Sequence, residues 1–249
     1  FETNALGTLN LLEAVRLHAK KNPIIINAST NKVYGGMEDI VIAKENNRYI
    51  YRDFPNGIKE NHFLDFHSPY GCSKGVADQY VRDYSRLYGL RTVVFRQSCI
   101  YGPRQFGIED QGLVAWFTIA ALAKKPIKIY GDGMQVRDVL FVDDLVNAYI
   151  SATTQIKKTA GKIYNIGGGS QNTMSLLELL EFLSQFYDRP IKHSFDVARP
   201  GDQPVYISDI SKAKAEFDWE PKISAKEGVK KLTQWVKANQ ELFEQVGLI

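Results

Sequence analysis

The chain has little that would signal a metal site, a disulfide framework, a membrane span or a nucleic-acid partner. Its two cysteines, Cys72 and Cys99, cannot staple a scaffold, so a reducing cytoplasm is the default compartment. The four histidines (His18, His62, His67, His193) are dispersed, with no metal-ligand spacing. No apolar run approaches the ~20 residues of a membrane-spanning helix, and no secretory signal is read. Net charge is +3, with the basic residues scattered rather than gathered in a stripe, which argues against a nucleic-acid partner.

What is present alternates between two periods. Leu6, Leu9, Leu12, Ala14, Val15 and Leu17 recur at helical spacing over residues 5–20, with Thr3 or Asn4 as the expected N-cap. The run Ile24 to Ala28 reads as a strand buried on both faces, as in a parallel sheet. Residues 35–69 lose all pattern. Their interleaved aromatics, among them Tyr49, Tyr51 and Phe66, predict an ordered loop folded over the body. A helix is predicted over 70–88 with Gly89 closing it, then a strand over 91–96. Helices over 112–124 and 142–153 and strands over 127–130 and 162–166 follow. Ser175 and Glu178 stand at capping-box spacing before a helix to about Tyr187, and a last helix is read over 225–246. Alternation of this kind implies an α/β sheet with right-handed crossovers.

The chemistry concentrates in Tyr70-Gly71-Cys72-Ser73-Lys74. Residues four apart share a helix face. Lys74 falls at the edge of the apolar arc made by Ala77, Val81 and Tyr84, where an ammonium needs a partner or a task. A tyrosine hydroxyl ordinarily titrates near ~10. A fixed ammonium beside it, with the positive ring of an oxidised nicotinamide, favours phenolate and makes a base for a hydroxyl proton. Packing of the ring with a snorkelling lysine is the competing structural reading. Ser29 and Thr30 end the first strand, where open α/β sheets bind ligands, although hydroxyls there also serve turns.

These segments together resemble the extended short-chain dehydrogenase/reductase family of nucleotide-sugar epimerases and dehydratases. The resemblance runs along the whole chain: Asn4-Ala5-Leu6-Gly7-Thr8-Leu9, Val33-Tyr34-Gly35, the Y-x-x-x-K pair, Tyr101-Gly102-Pro103-Arg104, Gly131-Asp132-Gly133 with Arg137-Asp138, Asn165-Ile166-Gly167-Gly168, and Arg199-Pro200-Gly201-Asp202. It implies a Rossmann-like parallel sheet, N-terminally truncated, with a smaller mixed C-terminal substrate domain. Residues 1–98, with 142–168 returning, would be the remnant of the NAD-binding domain. Residues 99–141 and 169–249 would bind the nucleotide sugar. The resemblance makes Thr30, Tyr70 and Lys74 catalytic. It assigns Asn4, Ser29, Tyr70, Lys74, Phe95 and Ser98 to NAD, and Arg104, Arg137, Arg199 and Asp202 to the substrate. It also implies a homo-oligomer formed through the helices at 5–20 and 70–88.

Dehydratases of the family carry Asp-Glu after the catalytic threonine, as acid and base for eliminating water. This chain has Asn31 and Lys32 there, which cannot do carboxyl chemistry. Together with the run Leu64 to Gly75 and the segment Arg104 to Gly112, this narrows the implied activity to inverting carbon 2 of a CDP-3,6-dideoxyhexose. Carbon-4 epimerisation of a UDP-hexose, which would use the same catalytic residues, and a non-catalytic sugar-nucleotide-binding remnant stay open.

Two departures accompany the resemblance. The G-x-x-G-x-x-G phosphate loop that opens the family is not in this sequence, and Gly167-Gly168-Gly169 has the wrong spacing to replace it. The chain starts at Phe1, so roughly 80–100 residues, about three βα units, are expected to be missing. Cys99 stands where many relatives carry Asn and reads as a small apolar filler.

Overall fold

The computed structural model describes residues 1–199 and 201–249. A π-helical turn over Glu2–Leu6 runs without a break into α1 (Gly7–His18). Helix therefore begins ahead of both expected caps, and neither Thr3 nor Asn4 caps it. Strand β1 (Ile24–Thr30) ends in one 3-10 turn, Asn31–Tyr34, which Thr30 caps by accepting from the Lys32 N–H. The patternless segment is ordered, as its aromatics imply, but it contains a hairpin that was not foreseen: β2 (Ile42–Glu45) and β3 (Arg48–Tyr51). Next come α2 (Ser68–Tyr88), β4 (Arg91–Gln97), β5 (Cys99–Tyr101) and α3 (Leu113–Leu122). The chain continues through β6 (Ile127–Tyr130), β7 (Val136–Phe141), α4 (Val142–Thr154), a single turn α5 (Ile156–Thr159) and β8 (Lys162–Ile166). Last are β9 (Thr173–Ser175), α6 (Leu176–Tyr187), β10 (His193–Asp196), β11 (Val205–Tyr206), α7 (Ser211–Phe217), α8 (Ala225–Ala238) and α9 (Gln240–Gln245).

The helix ends follow local chemistry. Pro69 sits in the first turn of α2, where its missing N–H costs nothing, and Gly89 closes the helix at φ 68°. Ser175 and Glu178 form the reciprocal capping box at the start of α6. The single helix expected over 225–246 is two helices, because the Asn239 backbone leaves the helical region at φ −127°, ψ 37°.

Strands β1, β4 and β8 form a parallel sheet in the order β1-β4-β8. Alternation along β4 sorts its side chains to two faces. Val94 faces α1 and α2, packing with Leu12, Val81 and Tyr84. Val93 and Phe95 face α4 and α7, packing with Ala148, Ala152, Ala213 and Phe217. The Phe95–Phe217 and Tyr164–Phe217 ring pairs, with centroids 6.3 and 4.9 Å apart, fill that layer. Helix α7 was expected in the substrate-binding group, yet its apolar side packs on this sheet. The far edge of β1 pairs with no strand among the described residues, and Ile24 to Asn27 are half-buried rather than enclosed on both faces.

A second, mixed sheet carries β11-β7-β5 in parallel, with β9 antiparallel to β7. Around it α3, α6 and α8 bury Phe117, Leu179, Leu183, Val229 and Leu232. Each fully buried side chain of this size contributes ~1.5–3 kcal/mol. The long loop bridges the two bodies: Tyr34, Tyr51 and Ile58 pack with Val136, Val205 and Tyr206. Two glycines permit its close approach to α2. A Cβ on Gly75 would lie 2.5 Å from the Phe66 ring, and one on Gly71 would lie 3.3 Å from the Lys32 carbonyl oxygen. The loop and the Asn31–Tyr34 turn are thereby drawn against the first turns of α2.

Candidate active site

The carboxyl ends of β1 and β4, the first turn of α2 and the mixed sheet enclose a cleft of about 540 Å³. Ser29, Thr30, Asn31 and Lys32 line it from the first sheet, and Tyr70 from α2. Ser98, Cys99, Arg137, Arg199 and Asp202 line it from the other side.

Tyr70 lies one residue beyond the helix-starting Pro69. Its side chain is 53% exposed, and its hydroxyl has no hydrogen-bond partner among the described residues. Lys74 stands one turn further on, half-buried and outside the cleft lining. Its ammonium finds no acceptor or carboxylate among the described residues, and burial pulls its pKa below the usual lysine value. Thr30 is buried and shares the cleft lining with Tyr70; its hydroxyl oxygen accepts from the Lys32 N–H at 3.2 Å, and its own hydrogen reaches only a long contact, 3.4 Å, to Asn31 Oδ1.

The remaining expected cofactor contacts fare differently. Ser29 borders the cleft, but its hydroxyl donates to Asp78 at 2.7 Å. Ser98 borders it too, with its hydroxyl donated to the buried Asp138 carboxylate. Asn4 donates its amide to Ser73 at 3.0 Å, inside the Tyr70–Lys74 turn. The Phe95 side chain is the clear correction: it is wholly buried between α4 and α7, because the alternation of β4 points it to the face opposite α2.

On the substrate side, Arg137, Arg199 and Asp202 meet in the cleft. Arg137 donates to Asp202 Oδ1 at 2.7 Å and to the Val136 carbonyl at 2.9 Å. Arg199 donates to Asp110 at 2.7 Å and lies 3.9 Å over the Tyr130 ring. Arg104 is exposed, with its backbone at φ 67°, and lies outside the cleft lining. Cys99 does line it, and burial pushes its thiol up to about 11, which keeps it unreactive and fits its reading as a filler.

Three features of the cleft were not anticipated. The Lys32 ammonium shares Asp202 Oδ1 with Arg137, at 3.5 Å. Asn31 donates to Gln203 at 3.1 Å, and Gln203 donates to the Gly35 carbonyl at 2.7 Å, fixing the turn after Thr30. Beneath the cleft Arg96 and Asp78 form a fully buried ion pair. A charged residue in the apolar run of β4 was its available signal.

The family described as GDP-mannose 4,6 dehydratase matches residues 1–232. The chain belongs to that family. This places it among the short-chain dehydrogenase/reductase epimerases and dehydratases. Within the family it is a homologue of the CDP-paratose 2-epimerase of Salmonella typhi, 47% identical over 243 residues, which are 96% of this chain and 72% of that protein. The UDP-glucose 4-epimerase of Thermotoga maritima, solved with UDP-glucose, superposes with a TM-score of 0.80 at 31% identity, covering 96% of this chain and 71% of that one. The UDP-glucuronic acid 4-epimerase of Bacillus cereus, solved with UDP-glucuronic acid and NAD, superposes at 0.79 with 27% identity, over 94% of this chain and 67% of that one. These neighbours share the family's α/β architecture of parallel sheets flanked by helices.

Proposed function

We propose that this chain carries the catalytic centre of a CDP-paratose 2-epimerase, an isomerase that inverts carbon 2 of a CDP-3,6-dideoxyhexose with NAD as a returning cofactor. The observation that carries the proposal is the cleft wall after Thr30. Asn31 is held by Gln203 and Lys32 by Asp202, so no carboxyl acid or base stands beside the candidate tyrosine. The two carboxylates elsewhere in the lining are already engaged, Asp110 by Arg199 and Glu109 by Tyr130. A site without a free carboxyl pair suits proton abstraction at one hydroxyl better than elimination of water. The 47% identity to the Salmonella typhi enzyme supports the same sugar.

The residues present fit the nicotinamide end of NAD. A half-buried lysine ammonium with no protein partner is costly unless a ligand satisfies it, and among the described residues Lys74 is in that state, one helical turn from Tyr70. Tyr70, Lys74 and the strand end at Ser29 would hold that end of the cofactor, which when bound would supply the reversible hydride acceptor. The chain's own residues do the rest. Tyr70 takes the proton from the hydroxyl on carbon 2 and later gives it back. Thr30 donates a hydrogen bond to the same oxygen, and Lys74 stabilises the phenolate. Arg137 and Arg199 present guanidinium forks to the diphosphate, and Asp202 holds the first of these in place.

Helices α1 and α2 leave Leu11, Leu17 and Leu87 more than half exposed, which supports self-association through that face. No helix among the described residues is long and apolar enough to cross a membrane.

The test is product analysis. The full-length protein, incubated with NAD and CDP-paratose, is expected to form CDP-tyvelose, read by NMR of the sugar ring. Parallel incubation with UDP-glucose gives the discriminating control. Inertness toward CDP-paratose with conversion of UDP-glucose to UDP-galactose would overturn the proposal.

A further inference from the structure

One buried carboxylate ties together the elements that carry all three candidate catalytic groups. Asp78 is 0% exposed and Arg96 is 1% exposed. Arg96 clasps it with two bonds, Nε to Oδ2 at 2.9 Å and Nη2 to Oδ1 at 3.0 Å. Ser29 donates to Oδ2 at 2.7 Å, and Gln79 to Oδ1 at 2.8 Å. The other guanidinium nitrogen, Nη1, donates to the Tyr34 hydroxyl and to the Glu60 carbonyl, each at 3.1 Å. Tyr34 passes the chain on to Asn165 at 2.7 Å.

The placement of these groups matters more than their number. Asp78 lies four residues after Lys74 and eight after Tyr70, on one stripe of α2. Ser29 immediately precedes Thr30 at the end of β1. Arg96 lies two residues before Ser98, on the central strand β4. One carboxylate thus joins the helix bearing Tyr70 and Lys74, the strand end bearing Thr30, and the strand that leads into the cleft. Helices sliding or rolling on a sheet meet only soft apolar resistance, whereas a bidentate fork fixes both azimuth and height. Exchange of a buried ion pair for apolar groups of similar volume is often neutral or stabilising, so fold stability alone gives no reason for this pair.

We propose that Asp78 and Arg96 are positioning residues for the reaction: their ion pair sets the roll of α2, so that the Tyr70 hydroxyl and the Thr30 hydroxyl converge on one substrate oxygen. Neither touches substrate. The proposal deepens the epimerase reading and rests on it for its kinetic consequence.

The test is the double variant Asp78→Leu with Arg96→Met in the full-length protein, compared with Arg96→Lys, which keeps the buried charges paired but loses the two-pronged fork, if the double variant fails to fold. Folded double variant is expected to lose kcat by about tenfold to a hundredfold, the scale of a misplacement near 1 Å, with KM for the CDP-sugar unchanged. Its crystal structure is expected to show the Tyr70 hydroxyl moved relative to Thr30. Arg96→Lys is expected to lower kcat in the same direction, again without a change in KM. Native kcat, with Tyr70 in its original place, would overturn the proposal in either variant, as would a rise in KM with kcat intact. The crystallographic arm is independent of the sugar. A wild-type protein inert toward CDP-paratose would therefore sink the proposed substrate while leaving the positioning role to be decided by the place of Tyr70.

Discussion

The side-chain amide of Asn4 donates to the Ser73 hydroxyl at 3.0 Å, and that hydroxyl donates to the Tyr70 carbonyl at 2.9 Å. The turn ahead of α1 is therefore fastened to the stretch of α2 between the proposed base and its lysine. Asn4→Ala leaves Ser73 with its own bond inside the helix, so the loss of one part-buried hydrogen bond should cost only ~1 kcal/mol in a urea unfolding measurement. Turnover should fall more than that suggests, because this bond steadies from outside the turn of α2 that carries Tyr70 and Lys74. Steady-state kinetics would show a lowered kcat at unchanged KM. A raised KM for NAD with kcat intact would instead return Asn4 to direct cofactor contact.

Tyr70→Phe removes only the free hydroxyl. The ring is half exposed and its hydroxyl has no hydrogen-bond partner among the described residues, so the thermal midpoint should not move. Turnover should drop ~10²- to 10⁴-fold, the usual share of a positioned acid–base group. Calorimetric binding of the nucleotide sugar should persist. Turnover near the wild-type rate would remove Tyr70 from the chemistry.

Helix α6 was legible to the residue because Ser175 and Glu178 determine its start by local hydrogen bonds. The hairpin at 42–51 was hidden among charges and aromatics, although Asn46, at φ 51°, is the kind of residue a tight hairpin turn recruits. Strand β7 was missed because its second and third residues, Arg137 and Asp138, are polar. The first reaches into the cleft, and the second is buried against Ser98 and two backbone N–H groups. Phe95 was misplaced because likeness to a family names a position, while the period of two along β4 decides which face the side chain takes. Arg96, a charge in the apolar run of β4, signals a buried partner, but that the partner is Asp78 follows only once α2 lies on β4.

Arg137 donates one fork nitrogen to Asp202 and another to its neighbour's carbonyl. Lysine has the charge but not the fork, so Arg137→Lys keeps electrostatic attraction and loses bidentate geometry. Loss of one charge-assisted bond to a diphosphate is worth ~1.5–3 kcal/mol, which is about tenfold to a hundredfold in KM for the nucleotide sugar. The kcat should be little changed, because the group lies away from the reacting carbon. An equal fall in kcat would place Arg137 in the chemical step.

Asp138 gives the fold a pH dependence of unusual direction. The side chain is fully buried; the Ser98 hydroxyl and the N–H groups of Gly169 and Ser208 bond its oxygens, yet burial pushes the carboxyl up from 3.8 to about 6. A pKa raised by folding favours the protonated group in the native state. Its contribution is whole below 3.8, where both states are protonated, and is lost as the pH rises through about 6. The rise corresponds to roughly 3 kcal/mol. Asp138→Asn keeps the shape: the amide oxygen can accept from the two backbone N–H groups, and the amide nitrogen can donate to Ser98. The variant should gain on the wild type as pH climbs from about 4 to 7, then hold a constant lead. Urea unfolding of both proteins across that range tests this, and parallel stability curves would show that Asp138 is ionised throughout.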